Sequence, residues 1–212
     1  MNSSLFPHLD GVDPSPQFKT LADQAEAAEA WETSRWAVEA ILRVELLTGV
    51  VLDPCCGTGV ITEVVESAGY FCIASDLYDW GFEARHGVDF LSAKYLEEIQ
   101  DAGGLPAEFS VAMNPPFSKA TDFVDRAREL GARKILCFQR QAWRESDRRR
   151  LWWEANPPAR VWLCGDRADS WLFSVPPEER AEMSGRNMPS AWYVWERGHK
   201  GAEIGGAIWR RS

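Results

Sequence analysis

The sequence predicts a doubly wound α/β domain. Three observations predict it: short apolar runs alternate with amphipathic segments of helical period, turn residues follow two of those runs directly, and 212 residues suit one such domain better than two. Hydrophobic residues make up 45% of the chain and charged residues 26%, a balance that can bury a core and excludes a disordered tail.

Residues 1–29 mix Pro, Gly, Ser and Asp without periodicity at their start and are read as an irregular arm before a single domain over 30–212. From Thr33 to Leu47, Trp36, Ala40, Ile41, Val44 and Leu47 recur at helical spacing behind Thr33 or Ser34 as a cap. Val50-Val51-Leu52 is a short apolar run that ends in Asp-Pro and a glycine-rich turn. Val60, Ile61, Val64, Val65 and Ala68 then restore the helical period until Gly69 stops it. Phe71 to Ala74, Val88 to Leu91, Phe109 to Met113 and Ile135 to Phe138 read as further strands, and Arg160 to Leu163 and Trp192 to Trp195 as two late ones. Ser118 is placed to cap a helix whose face is Phe123, Val124, Ala127 and Leu130. Strands alternating with helices in this way imply a mostly parallel sheet covered on both faces.

No stretch reaches the ~18 to 20 apolar residues of a membrane span, and the start has neither a basic flank nor an apolar run, so the expectation is a soluble, cytoplasmic protein. Five cysteines without CxxC pairing suit buried thiols better than disulfides or zinc, and three scattered histidines make a metal site improbable. The net charge of -9 argues against a polyanion partner until its distribution is read. Between Arg126 and Arg160 ten basic residues stand against four acidic ones, which leaves -15 for the remainder. Such asymmetry fits one basic face on an acidic body, or a solvated and internally paired helix surface.

Four stretches carry chemistry. Asp53-Pro54-Cys55-Cys56-Gly57-Thr58-Gly59 lies between strand and helix, where Gly57 and Gly59 let the backbone approach a ligand at the carboxyl end of a strand. The Lys-Ser/Thr of a phosphate loop is absent. Asp76 ends the next strand, where a carboxylate can accept both hydroxyl protons of a ribose or else cap a helix. Asp89 and Phe90 offer an acceptor and an apolar ring for an adenine. Asn114-Pro115-Pro116-Phe117 directly follows a strand: the prolines fix φ and lack donors, so the Asn114 side chain and the Pro115 carbonyl form a preorganised acceptor edge. An NH2 group fits that edge, because accepting both its protons localises a lone pair that is otherwise delocalised. Phe117 adds a face for a planar target.

With these residues in view the chain resembles the S-adenosylmethionine-dependent amino-methyltransferases, in particular the adenine-N6 DNA methyltransferases, many of them carried by phages. The likeness runs over residues 30–196 and is strongest in Asp-Pro-Cys-Cys-Gly-Thr-Gly and Asn-Pro-Pro-Phe. It implies a seven-stranded Rossmann-like sheet with a reversed last strand and S-adenosylmethionine as cofactor. The cofactor contacts it implies come from Thr33, Asp53, Pro54, Gly57, Gly59, Asp76, Asp89 and Phe90, and the catalytic turn is Asn114, Pro115, Pro116 and Phe117. The family's upstream Thr-Pro segment is matched by Thr33-Ser34, with Ser in place of Pro. Asn rather than Asp opens the catalytic motif, a form shared with methyltransferases of RNA bases and of glutamine side chains, and a non-catalytic cofactor-binding module is a further alternative. Cytosine-C5 methylation is disfavoured because no cysteine occupies the catalytic turn. The unassigned insert is 165–189. Arg140, Arg144, Arg148, Arg149 and Arg150 follow the fifth strand, next to the fourth in such sheets, and are expected to hold a nucleic-acid backbone, DNA first.

Overall fold

A computed structural model of the chain describes residues 20, 23, 25, 28–99, 105–168, 170–175, 179 and 189–211. Nearly all of the predicted arm 1–29 and most of the insert beyond Val175 lie outside the described residues.

The chain runs α1 (Arg35–Leu42), β1 (Val50–Asp53), α2 (Val60–Ser67), β2 (Cys72–Asp76), β3 (Arg85–His86), α3 (Tyr95–Glu98), β4 (Phe109–Met113), α4 (Ala120–Glu129) and β5 (Lys134–Arg140). Two 3₁₀ turns, Gln141–Arg144 and Asp147–Arg149, lead into α5 (Arg150–Ala155), followed by β6 (Arg160–Cys164), β7 (Ser190–Glu196) and β8 (Ile204–Ile208). The strands form one sheet in the order β3-β2-β1-β4-β5-β7-β6-β8. β7 runs antiparallel to both its neighbours and every other pairing is parallel, so the sheet is doubly wound and mostly parallel, as expected, with the reversed strand seventh of eight rather than last. β8 is an eighth strand that the apolar pattern does not announce.

Strand periodicity divides the core between the two faces of the sheet. Leu52, Val111, Met113, Ile135 and Cys137 point to one face, with Phe123, Val124 and Ala127 of α4. Val51, Ala112, Leu136 and Phe138 point to the other, with Trp36, Ala37, Ala40 and Ile41 of α1 and Ile61, Val64 and Val65 of α2. All five residues of β4 are buried, which is why that run is apolar at every position rather than at alternate ones.

Three expectations about elements need correction. The helix from Thr33 closes at Leu42, leaving Val44 46% exposed, because the chain turns there to bury Glu45. The Glu45 carboxylate accepts from Lys134 Nζ at 2.8 Å and from Trp162 Nε1 at 2.8 Å and is also paired with Arg160, so α1 is stapled to β5 and β6 by a buried ion network. Val88–Leu91 is a turn, not a strand. Gly87 takes φ +73° and ends the two-residue β3, and the Asp89 side chain then accepts the Leu91 N–H at 2.9 Å, which bends the backbone away from the sheet. Ser118 does not cap α4: that helix starts at Ala120, and the Ser118 N–H instead donates to Glu29 Oε2 at 2.8 Å.

Candidate active site

The strand order reverses between β1 and β4, and a crevice opens there at the carboxyl ends of both strands, the place where open α/β sheets bind ligands. A cavity of about 140 Å³ occupies it. Thr33, Pro54, Asp76, Asp89, Phe90, Asn114 and Pro116, all singled out from the sequence, line this one space. Asp53, Gly57, Gly59, Pro115 and Phe117 do not line it and act from behind the surface or beside it.

The loop after β1 is built on two carboxylates. Asp53 is fully buried and accepts the Thr62 hydroxyl at 2.8 Å, which ties the end of β1 to α2. Burial pushes its carboxyl up to about 7 against the pull of that hydrogen bond, and the nearby Asp76 adds to the rise. Asp76, at the end of β2, accepts the Gly57 N–H at 2.9 Å through Oδ2, and through Oδ1 the Tyr78 N–H at 2.9 Å and Trp80 Nε1 at 3.2 Å. Burial raises its pKa as well. Three donors occupy about three of the four lone pairs of a carboxylate, so Asp76 orders its own surroundings and keeps one acceptor position. The Cys55 and Cys56 thiols are pushed well up, first by burial and then by the two carboxylates, which leaves no thiolate nucleophile in the loop.

Aromatic rings lie directly on the two glycines. A Cβ at Gly57 would stand 2.2 Å from Cζ of Phe173, and one at Gly59 would stand 2.3 Å from the Phe82 ring, so no other residue fits either position. Trp80 packs edge-on against Phe173 with ring centroids 5.0 Å apart. Residues 171–173, the described part of the predicted insert that reaches the cavity, pair with the segment before α1: Trp31 bridges Leu172, the Glu32 N–H donates to Trp171 O at 2.7 Å, and the Phe173 N–H donates to Ala30 O at 3.1 Å. This part of the insert therefore covers the glycine loop. Sequence reasoning missed Trp80, Phe82 and Phe173, because nothing in an isolated aromatic marks the distant backbone it will cover.

The turn after β4 is held from several sides. Asn114 Nδ2 donates to Trp31 O at 2.9 Å and to Thr33 Oγ1 at 3.0 Å, which uses both amide protons and leaves Oδ1 as the acceptor. Thr33 thus meets Asn114 as well as the cavity. Phe117 stacks near Trp31 at 6.5 Å between centroids and 23° between planes, and the Arg140 guanidinium lies 4.1 Å from its ring centroid. Phe90 is buried against Tyr95 and Phe123, so it is first a core residue that also shows an edge to the cavity.

The basic segment divides. Arg140 reaches the site. Arg144 is paired with Glu203 at 2.7 Å and lies over Trp153, Arg149 donates to Trp143 O at 2.9 Å, and Arg150 pairs with Glu154 at 3.5 Å within α5. Arg144 and Arg149 thus fasten a cluster of Trp143, Trp152, Trp153, Tyr193 and Trp195, while Arg150 stays on the exposed face of α5. Among the described residues Arg148 is exposed and has no ion pair. Of these arginines Arg144 alone is paired with an acidic residue far along the chain, Glu203.

No protein-family model and no curated protein matches the chain. Solved structures do match it. One, from Streptococcus thermophilus and described as a "putative hemolysin", is 10% identical with a TM-score of 0.52 over 80% of this chain and 67% of its own. A SAM-dependent methyltransferase from Anabaena variabilis is 13% identical with a TM-score of 0.47 over 84% of this chain and 92% of its own. A "putative RNA methyltransferase" from Pyrococcus horikoshii is 15% identical with a TM-score of 0.46 over 87% and 89%. The likeness to the first is one of fold: a doubly wound α/β sheet in a single layered domain. No helix among the described residues is long and apolar enough to cross a membrane, and those residues hold no cluster of ligating side chains suited to a metal ion.

Proposed function

We propose that residues 30–212 form one domain that transfers a methyl group from S-adenosylmethionine to an exocyclic amino nitrogen, with N6 of adenine in DNA the first target to test. The observation that carries this reading is the state of Asn114: with both amide protons given to Trp31 O and Thr33 Oγ1, its side chain can only accept, at the edge of a cavity shared with Asp76 and the loop after β1.

The residues present fit the cofactor. Gly57 and Gly59 keep the loop backbone bare of side chains beneath the Phe173 and Phe82 rings, Asp76 has one acceptor position left for a ribose hydroxyl, and Val88, Phe90 and Leu91 give an apolar wall beside the Asp89 carboxylate. A cavity of about 140 Å³ is below the ~300 Å³ at which small-molecule sites begin, so Phe173 and Trp80 shift outward to admit the ligand. When bound, S-adenosylmethionine supplies a methyl group on a cationic sulfur. Asn114 Oδ1 and the Pro115 carbonyl hold the two protons of the target amine as charge develops on nitrogen, Phe117 supports the target plane, and the methylated nitrogen then sheds one proton to water. Arg140 beside Phe117 is a cation placed for a phosphate next to the target. A base stacked in a duplex cannot reach this recess, so the substrate is flipped out or single-stranded.

One observation favours a second reading. Because Arg144 and Arg150 are paired with carboxylates and Arg149 with the Trp143 carbonyl, a long polyanion track is thin here, which suits the amide of a glutamine side chain in a protein substrate. Incubation with isotopically labelled cofactor and separate DNA, RNA and protein pools, followed by mass spectrometry of the product, decides between them. Labelled N6-methyladenine in DNA supports the first, labelled N-methylglutamine the second, and label in no pool overturns both.

A further inference from the structure

The amino-acid pattern of β5 is apolar from Ile135 to Phe138 and then turns polar at Gln139, which is nonetheless only 1% exposed. Burying an amide costs free energy unless it is hydrogen-bonded, so a buried Gln in such a strand needs a partner. Its partner is in the candidate active site: Gln139 Nε2 donates to the Pro115 carbonyl at 2.9 Å. No residue of the Asn-Pro-Pro-Phe turn contributes to this contact except the carbonyl itself.

That carbonyl has few ways to move. The rings of Pro115 and Pro116 fix their own φ angles, and the chain has no cis peptide among the described residues. One torsion, ψ of Pro115, still aims the oxygen, and the following proline confines it to a window some 40° wide. A carbonyl oxygen carries two in-plane lone pairs, and a donor on one of them fixes the direction of the other. Asn114 is locked in a parallel way by Trp31 and Thr33.

We propose that Gln139 is a positioning residue of the catalytic turn: its amide fixes the plane of the Pro115 carbonyl so that the remaining lone pair and Asn114 Oδ1 converge on one amino group. The proposal rests on the reading of the site as an amino-group methyltransferase. Gln139 touches neither substrate nor cofactor, and it acts by removing the last soft torsion between two acceptors. A turn held this way pays no reorganisation as charge develops on nitrogen.

The test compares Gln139→Leu and Gln139→Glu in the full chain, by single-turnover methyl transfer and by cofactor titration. For Gln139→Leu the transfer rate should fall roughly ten- to a hundredfold while cofactor affinity stays within about twofold, the signature of an interaction that matters in the transition state. Gln139→Glu should be slow at pH 8, where an ionised carboxylate faces the carbonyl, and should regain rate as the pH is lowered, because a buried carboxyl protonates early and then donates. The unaltered chain should show no such rise. A Gln139→Leu rate within twofold of the parent, or a Gln139→Glu profile parallel to it, overturns the proposal. If the unaltered chain methylates nothing, the reading of the site fails, and positioning is tested directly by carbon-13 spectra of protein labelled at proline carbonyls. The Pro115 resonance should then move more in Gln139→Leu than that of any other proline, and an unmoved Pro115 resonance overturns the proposal.

Discussion

The side-chain amide of Asn114 donates to the main-chain carbonyl of Trp31 at 2.9 Å, and so joins the turn after β4 to the segment before α1 across 83 residues of chain. The same amide reaches Thr33 Oγ1, so its orientation is set by two acceptors and its own oxygen is left to accept.

Asn114→Ala should lower single-turnover methyl transfer by about a hundredfold or more and leave cofactor affinity within a few-fold. Asn114→Asp should be no better. An ionised carboxylate there would face the Trp31 carbonyl, so the substitution removes the anchor as well as the amide. Equal rates for either variant and the parent would take Asn114 out of the chemistry.

Asp76→Asn should weaken cofactor binding by about tenfold, near 1.4 kcal/mol, since a neutral acceptor replaces a charged one and an NH2 meets the Gly57 or Tyr78 N–H. Titration calorimetry measures it. Unchanged affinity would mean that the carboxylate serves only the loop.

The raised carboxyl of Asp53 gives a stability change with a definite sign. The folded chain holds this proton up to about pH 7, whereas the unfolded chain releases it near 3.9, so the stability it contributes is fully present below about pH 4 and is lost as the pH rises through 7. The loss is of the order of 4 kcal/mol at most. Urea unfolding at pH 5 and pH 8 should show a smaller difference for Asp53→Asn than for the parent.

Glu45 behaves in the opposite sense. Burial opposes its charge, but hydrogen bonds from Arg160, Lys134 and Trp162 outweigh that and hold the carboxyl below its usual range. Its contribution is therefore present at neutral pH and lost as the pH falls through the lowered value. Glu45→Ala leaves Lys134 buried without its main partner and should cost about 3–5 kcal/mol in urea unfolding at pH 7.

For nucleic-acid binding the arginines should separate. Arg140→Ala should flatten the dependence of log affinity on log salt by up to ~0.9 on duplex DNA, the share of one phosphate contact. Arg144→Ala and Arg149→Ala should leave that slope alone, because their side chains are already bound to Glu203 and to the Trp143 carbonyl. Affinity measured at several salt concentrations reads both effects.

What could be read in the sequence follows burial. β1, β2, β4 and β5 are central and covered on both faces, so their apolar runs stand out, and the Gly-rich and Pro-Pro turns mark where two of them end. Val88–Leu91 misled because two of its apolar residues, Val88 and Phe90, do enter the core, yet from a turn built by Asp89. β8, Ile-Gly-Gly-Ala-Ile, has no strand signature because its Gly206 is shaped to the Trp162 ring, within 2.5 Å of where a Cβ would sit. The positive charge of 126–160 was countable, but its neutralisation was not, since Arg144 finds Glu203 at a separation of 59 residues. Thr33, Pro54, Asp76, Asn114 and Pro116 were legible because each lies at a strand end or before a helix, Asp89 and Phe90 only through the family resemblance; the rings over Gly57 and Gly59 depend on tertiary approach alone.

The reversed β7 also governs how the sheet can assemble. Among the described residues it is the strand through which the β6–β8 pair joins the backbone hydrogen bonding of the sheet, with the Glu45 network as a second, side-chain tie between β5 and β6. The entropic cost of closing a loop grows only slowly, by about 0.6 kcal/mol for each doubling of its length, so the length of the connection between β6 and β7 is weakly constrained. Residues 171–173 within that connection are nonetheless held over the glycine loop by their pairing with the segment before α1. A change in the roof of the pocket is therefore felt at its floor, because the segment that pairs with 171–173 also supplies the Trp31 carbonyl to Asn114.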